Sequence, residues 1–388
     1  MPARKRRRAV VVFVLLAALA LFGWLSRPAR PRYSVADLGV LPGVFMSGPA
    51  TSNASGINNR GDVVGLSGPE QPQKRHAFLY RNGVMTDLGR FGLIGSHNGP
   101  SINDGGQVTG VVQFGANASG PGQKLHAFLY DAGVMQNLGS PLGAPMSIGD
   151  AINSQGQIAG EAWVNKPMAG GYMDHAFLDS GGKIIDIGIL PGCTDATPAG
   201  INAAGQIAGY SGRQIGTGLQ AFVYDARTRR MTALAAPAGS TGSLALGISE
   251  EGRIIGAALL PGNKTRAVLW ADGQATDLGT LPGMDNAAGA ALNNRGEAVG
   301  SSWSEPGAMA RFVSDHPVGL GFLLPLFQGG KTRTAFVYRA GRMEDLNKLI
   351  PTHDGWVLQG AQGINDRGQI VGSGLHHGRE RAFLLTPL

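Results

Sequence analysis

Four short apolar–polar alternations recur along this chain from Tyr33 to the C-terminus. In the first complete unit they fall at residues 54–57, 62–65, 76–80 and 84–88, and they are built from small, β-branched and aromatic residues. Runs of this length and composition predict strands. Asn58-Asn59-Arg60-Gly61 joins the first two, with Asn first and Gly fourth, the favoured places in a β-turn. Asn82-Gly83 joins the last two and is a two-residue hairpin signal.

The unit repeats. Ile-Asn-x-x-Gly-x-x-x-Gly starts at Ile57, Ile102, Ile152, Ile201 and Ile364, with variants at Ile248 and Leu292. Ala-Phe follows at Ala77, Ala127, Ala176, Ala221, Ala335 and Ala382, with Ala267-Val268 as the variant. Asp-Leu-Gly or a relative comes third, near Asp37, Asp87, Asn137, Asp186, Ala233, Asp277 and Asp345. Each series has seven members, and the Asn positions are spaced by 45, 50, 49, 47, 44 and 72 residues. A period near 45 built from four short strands predicts an all-β, seven-bladed β-propeller. The first Asp-Leu-Gly precedes any Ile-Asn, and the last Ala-Phe has no Asp-Leu-Gly after it. Residues 33–39 are therefore expected to complete the blade begun at Ile364, which closes the ring and removes an open sheet edge.

These motifs resemble the extracellular HAF-repeat family, named for a His-Ala-Phe tripeptide. It stands intact at His76-Ala77-Phe78, His126-Ala127-Phe128 and His175-Ala176-Phe177. The resemblance covers residues 33–388 and implies an exported repeat protein, with no activity attached. Gln220, Arg266, Thr334 and Arg381 replace the histidine in later units, so the fold does not depend on it.

Composition separates the N-terminus from the repeats. Five basic residues, Arg4 to Arg8, precede a 17-residue apolar run over 9–25. As a helix this is about 26 Å long, at the short edge of a bilayer span. Residues 1–25 read as a signal anchor or signal peptide, with the basic end cytoplasmic and the rest outside. Residues 26–32 read as a linker and 33–388 as the propeller. The net charge of +7 belongs to this leader: eight of the 33 Lys and Arg lie in the first 32 residues, leaving 25 against 26 acids. A nucleic-acid partner is not expected. The one cysteine, Cys193, excludes a disulfide framework.

Candidate chemistry is sparse. There is no nucleophile elbow, phosphate loop or metalloprotease helix, so no catalytic residue is assigned and enzymatic activity stays open. Consecutive histidines on third strands stand too far apart for one metal, and the turn residues lack the carboxylates of a calcium site; no metal or cofactor is expected. The second-to-third-strand loops are long and unequal, and each carries a basic residue: Arg75, Lys124, Lys166, Arg213, Lys264, Lys331 and Arg379. With His76, His126 and His175 these are the ligand-binding candidates, for a glycan, a peptide or an envelope protein. Residues 301–333 form a long insertion in the sixth unit. Its Leu320, Phe322, Leu323, Leu324, Leu326 and Phe327 are candidates for docking a partner or the membrane. The expectation is a monomeric, extracytoplasmic binding module held by one N-terminal helix. A glycan hydrolase or lyase and an envelope scaffold are the alternatives.

Overall fold

The computed structural model describes residues 32–43, 49–69, 74–90, 99–114, 124–168, 171–213, 217–304, 333–352 and 354–388. They form seven four-stranded antiparallel sheets, the blades of a propeller. Blade 1 is Thr51–Ile57, Val63–Gly68, His76–Arg81 and Val84–Arg90, in that order from the inner strand outward. Blades 2 to 6 repeat the order, beginning at Ser101, Ser147, Asp195, Gly242 and Asn286.

Blade 7 takes its first three strands, Trp356–Ile364, Ile370–His376 and Arg379–Pro387, from the C-terminus and its outer strand, Tyr33–Asp37, from the N-terminus. The register runs from Tyr33 opposite Pro387 to Asp37 opposite Phe383, and the Leu38 amide continues it to the Ala382 carbonyl at 3.0 Å. The ring closes as the offset of the repeats predicts.

The Gly and Phe of the repeat share one job. Phe78, Phe128, Phe177, Phe222, Phe336 and Phe383 are fully buried, each opposite the second Gly of the motif on the neighbouring strand. At Gly65 an added Cβ would lie 2.0 Å from the Asn53 carbonyl oxygen and 2.8 Å from the Phe78 ring. The ring thus fills the space that the missing side chain leaves. Burying each Phe contributes about 1.5–3 kcal/mol. The core lies between blades: Val64 and Leu79 of blade 1 pack with Val108 and Phe128 of blade 2.

The expected N-terminal helix lies in residues 1–31, outside the described residues, among which no helix is long and apolar enough to cross a membrane. Leu320, Phe322, Leu323, Leu324, Leu326 and Phe327 also lie outside them.

Candidate functional site

The two faces of the ring are built differently. On one face the repeated turns of all seven units meet around a cavity of about 210 Å³. The turn Asn works twice. Its Oδ1 accepts the amide of the residue four places on, at 2.9 to 3.0 Å, which closes its own turn. Its Nδ2 donates to the backbone carbonyl of the equivalent residue in the next blade, at 2.8 to 3.2 Å. Asn58, Asn103, Asn153, Asn202, Asn293 and Asn365 thereby link the blades in a circle, interrupted at Ser249, whose Oγ accepts only the Arg253 amide. A second set runs outside it: Asp104 accepts from Asn59, Asn59 from the Asp366 amide, and Asp366 from Asn294. The turn face is held by its own hydrogen bonds.

The axis is a cavity of about 260 Å³ lined by the inner strands. Six inner strands carry a bulge at one equivalent place, and the bulged residues Ser55, Asp150, Ala199, Leu246, Ala290 and Gln362 all line it. A bulge re-aims the side chain of the extra residue. Asp150 is the one acid among the lining residues.

Behind Asp150 lies a group of acids that the sequence reading missed. Asp150 is on the inner strand of blade 3, Ser147–Ile152; Glu161 on the second, Ile158–Met168; Asp174 on the third, Gly171–Ser180. Asp195 and Thr197 are on the inner strand of blade 4, Asp195–Ile201, and Tyr210 on its second, Gln206–Arg213. Glu161 is 1% exposed, and its Oε2 accepts the Thr197 hydroxyl at 3.0 Å. Asp195 accepts the Gly212 amide at 2.8 Å. Asp150 keeps partial contact with the channel, but its Oδ2 is buried without a hydrogen-bond partner, as are Glu161 Oε1 and the Tyr210 hydroxyl.

Burial dominates the titration of the group. It pushes Asp150 well above the usual carboxylate range, with the Glu161 amide opposing and the Asp174 charge adding. Glu161 is pushed up in the same way by burial, then by Asp150 and Asp174. Burial and the Asp195 charge push Asp174 up to about 7. Burial raises Asp195 against the hydrogen bond from Gly212, and raises the Tyr210 phenol with help from Glu161. The charged influences on Asp150, Glu161 and Asp174 are other acids.

The sequence-predicted residues lie elsewhere. The histidines stand on third strands, two strands out from the channel, and each meets the Asp-Leu-Gly position of its own blade. Nδ1 of His76 is 3.0 Å from Asp87, that of His126 is 3.1 Å from Asn137, and that of His175 is 3.0 Å from Asp186. In blade 5 the pair becomes Arg266 and Asp277 at 4.0 Å. Arg75 is buried against Glu380 of blade 7 at 3.5 Å, and Lys264 pairs with Asp285 at 3.0 Å. Arg379 is exposed. Lys331 and the side chains of Lys124, Lys166 and Arg213 lie outside what is described. No three acid, imidazole or thiol groups among the described residues are placed to hold a metal.

No family model matches the chain, and no curated protein matches it in sequence. Solved structures do match its shape. An acylaminoacyl peptidase from Pyrococcus horikoshii superposes with a TM-score of 0.51 at 9% identity, over 86% of this chain and 51% of the peptidase. The β-propeller domain of the Trilobed protease from Pyrococcus furiosus, of open velcro topology, gives 0.48 at 10%, over 75% and 82%. An oligogalacturonate lyase in complex with manganese gives 0.48 at 11%, over 93% and 97%. The chain spans about half the length of that peptidase. At these identities the likeness is one of fold: this chain is a seven-bladed β-propeller.

Proposed function

We propose that this protein is an exported binding module of the HAF-repeat kind, held at the membrane by residues 1–25 and engaging a glycan, peptide or envelope protein through its loop-bearing face. One observation carries the reading. The turn face is tied together by repeated hydrogen bonds between equivalent turns, which leaves the connections of unequal length as the surface that varies most from unit to unit. Ligand recognition usually sits on unequal loops carried by a rigid frame. Arg379, exposed at the start of its strand, belongs to that face.

A glycan array probed with the chain from Arg32 onward tests this, since the ring closes with its own strands. Replacing residues 115–123 with a short Gly-Ser connection should remove binding, while Asn59→Ala on the turn face should leave it. The reverse pattern sinks the proposal. A second reading, a hydrolase or lyase, is favoured by Asp174 alone, since a carboxyl near 7 beside a second acid suits proton transfer. It requires turnover of an oligosaccharide that Asp174→Asn abolishes.

A further inference from the structure

We propose that the seam between blades 3 and 4 is a proton-binding site, in which Asp150 and Glu161 stand as carboxylic acids at neutral pH and join the two blades while they keep their protons. Glu161 Oε1, Asp150 Oδ2 and the Tyr210 hydroxyl are each buried in the blade packing with no hydrogen-bond partner. The two carboxyl oxygens are acceptors only, as long as the carboxyls are ionised, whereas a protonated carboxyl supplies one donor. A proton on either acid turns a buried acceptor into a donor and removes a buried charge in the same step.

The polar and titratable groups facing the pair come from blades 3 and 4. They are Asp174 on the third strand of blade 3, Asp195 and Thr197 on the inner strand of blade 4, and Tyr210 on its second. His175, next to Asp174, turns to Asp186 instead. Among the described residues no lysine or arginine forms an ion pair with any of the four acids. A metal ion is the other way to neutralise such a seam, but the described acids are not arranged to share one. That leaves the proton. The upward pKa direction of both acids agrees with this geometry.

The sign follows from linkage. A carboxyl whose folded pKa is raised holds a proton that the unfolded chain releases near pH 4. Its stabilising effect is complete below that value and is lost as pH rises through the folded pKa. The detergent-purified full chain should therefore melt about 5 °C lower at pH 8 than at pH 5.5. Glu161→Gln keeps the acceptor for Thr197 but cannot ionise, so its midpoint should change with pH clearly less. A variant profile parallel to the wild type overturns the proposal. So does calcium or manganese raising the wild-type midpoint, with EDTA reversing it, since that marks a metal site. Should the variant not fold, infrared spectra of the wild type decide: a protonated carboxyl C=O band must be present at pH 7 and fade at higher pH. Its absence at pH 7 refutes the site.

Discussion

Truncating Asn153 to Ala tests whether the turn Asn holds neighbouring blades together. Asn153 is 3% exposed. Its Nδ2 donates to the Asn202 carbonyl at 3.0 Å and to Gln157 Oε1 at 2.8 Å. Its Oδ1 accepts the amides of Gln157 at 2.9 Å and Gln155 at 3.1 Å. At about 0.5–1.5 kcal/mol net per bond, the set is worth roughly 2–6 kcal/mol. The Gln157 side chain can turn to water, so a loss of about 2–4 kcal/mol is expected. Ser249 shows what Ser does at this place: it keeps the acceptor, at 3.2 Å from the Arg253 amide, and gives up the link to the next blade. Asn153→Ser should thus cost about half as much as Ala. Ser249→Asn, which completes the circle, should add about 0.5–1 kcal/mol, less than a full set because Arg253 offers no side-chain acceptor. Urea titrations with unchanged slopes give these values. A cost below about 1 kcal/mol for Asn153→Ala, or a destabilising Ser249→Asn, would refute the linking role.

Three further outcomes follow from the same geometry. Gly160→Ala puts a Cβ 2.1 Å from the Ile148 carbonyl oxygen and 2.6 Å from the Phe177 ring, so a loss of about 3 kcal/mol is expected in urea titration. Deleting residues 33–37 bares the edge of Arg379–Pro387; light scattering should then show oligomers, and an added peptide of residues 32–39 should restore the monomer. His76→Arg puts beside Asp87 the residue that blade 5 already uses at this place, in a pair open to solvent, so stability should change by less than about 0.5 kcal/mol.

The blades were legible because each repeated residue has a single local reason to be there. Asn and Gly mark a turn, Phe and the second Gly fill one another's space, and alternation marks the strands. The closing strand was legible because the repeats are out of phase. The partner of the His-Ala-Phe histidine was not read, although a signal existed: His76, His126 and His175 each stand 11 residues before their partner. A constant offset across a hairpin means a cross-strand pair, and Arg266 with Asp277 keeps it. That pairing gives each of these residues a partner within its own blade. The link from each Asn to the next blade could not be read, because its acceptor is a backbone carbonyl 45 to 72 residues away, or 307 for the closing link from Asn365, that any residue type would supply. The seven basic residues looked like one rim because sequence shows charge and not burial. Arg75 is in fact an inter-blade ion pair.

The acid seam was hidden for a different reason, and the repeats themselves supply the means to find it. Seven copies of one unit act as internal controls, so a residue that departs from its column calls for a physical cause. In the bulge column Asp150 stands among Ser55, Ala199, Leu246, Ala290 and Gln362. In the column after the second Gly, Glu161 stands among Leu66, Val111, Ala257, Ser301 and Ser373, with Tyr210 in the next blade. Either departure alone would bury a charge at a cost that no lysine or arginine among the described residues offsets. They occur in the same blade, and the phenol that breaks the second column is in the blade packed against it. Three exceptions meeting at one seam are better explained by a shared function of that seam than by drift at three separate positions. A local conflict with the repeat is where function is expected to override the fold's own rule. On this argument the ordinary blades carry the frame, and the interface between blades 3 and 4 is the first place to look for what this ring does beyond holding its shape.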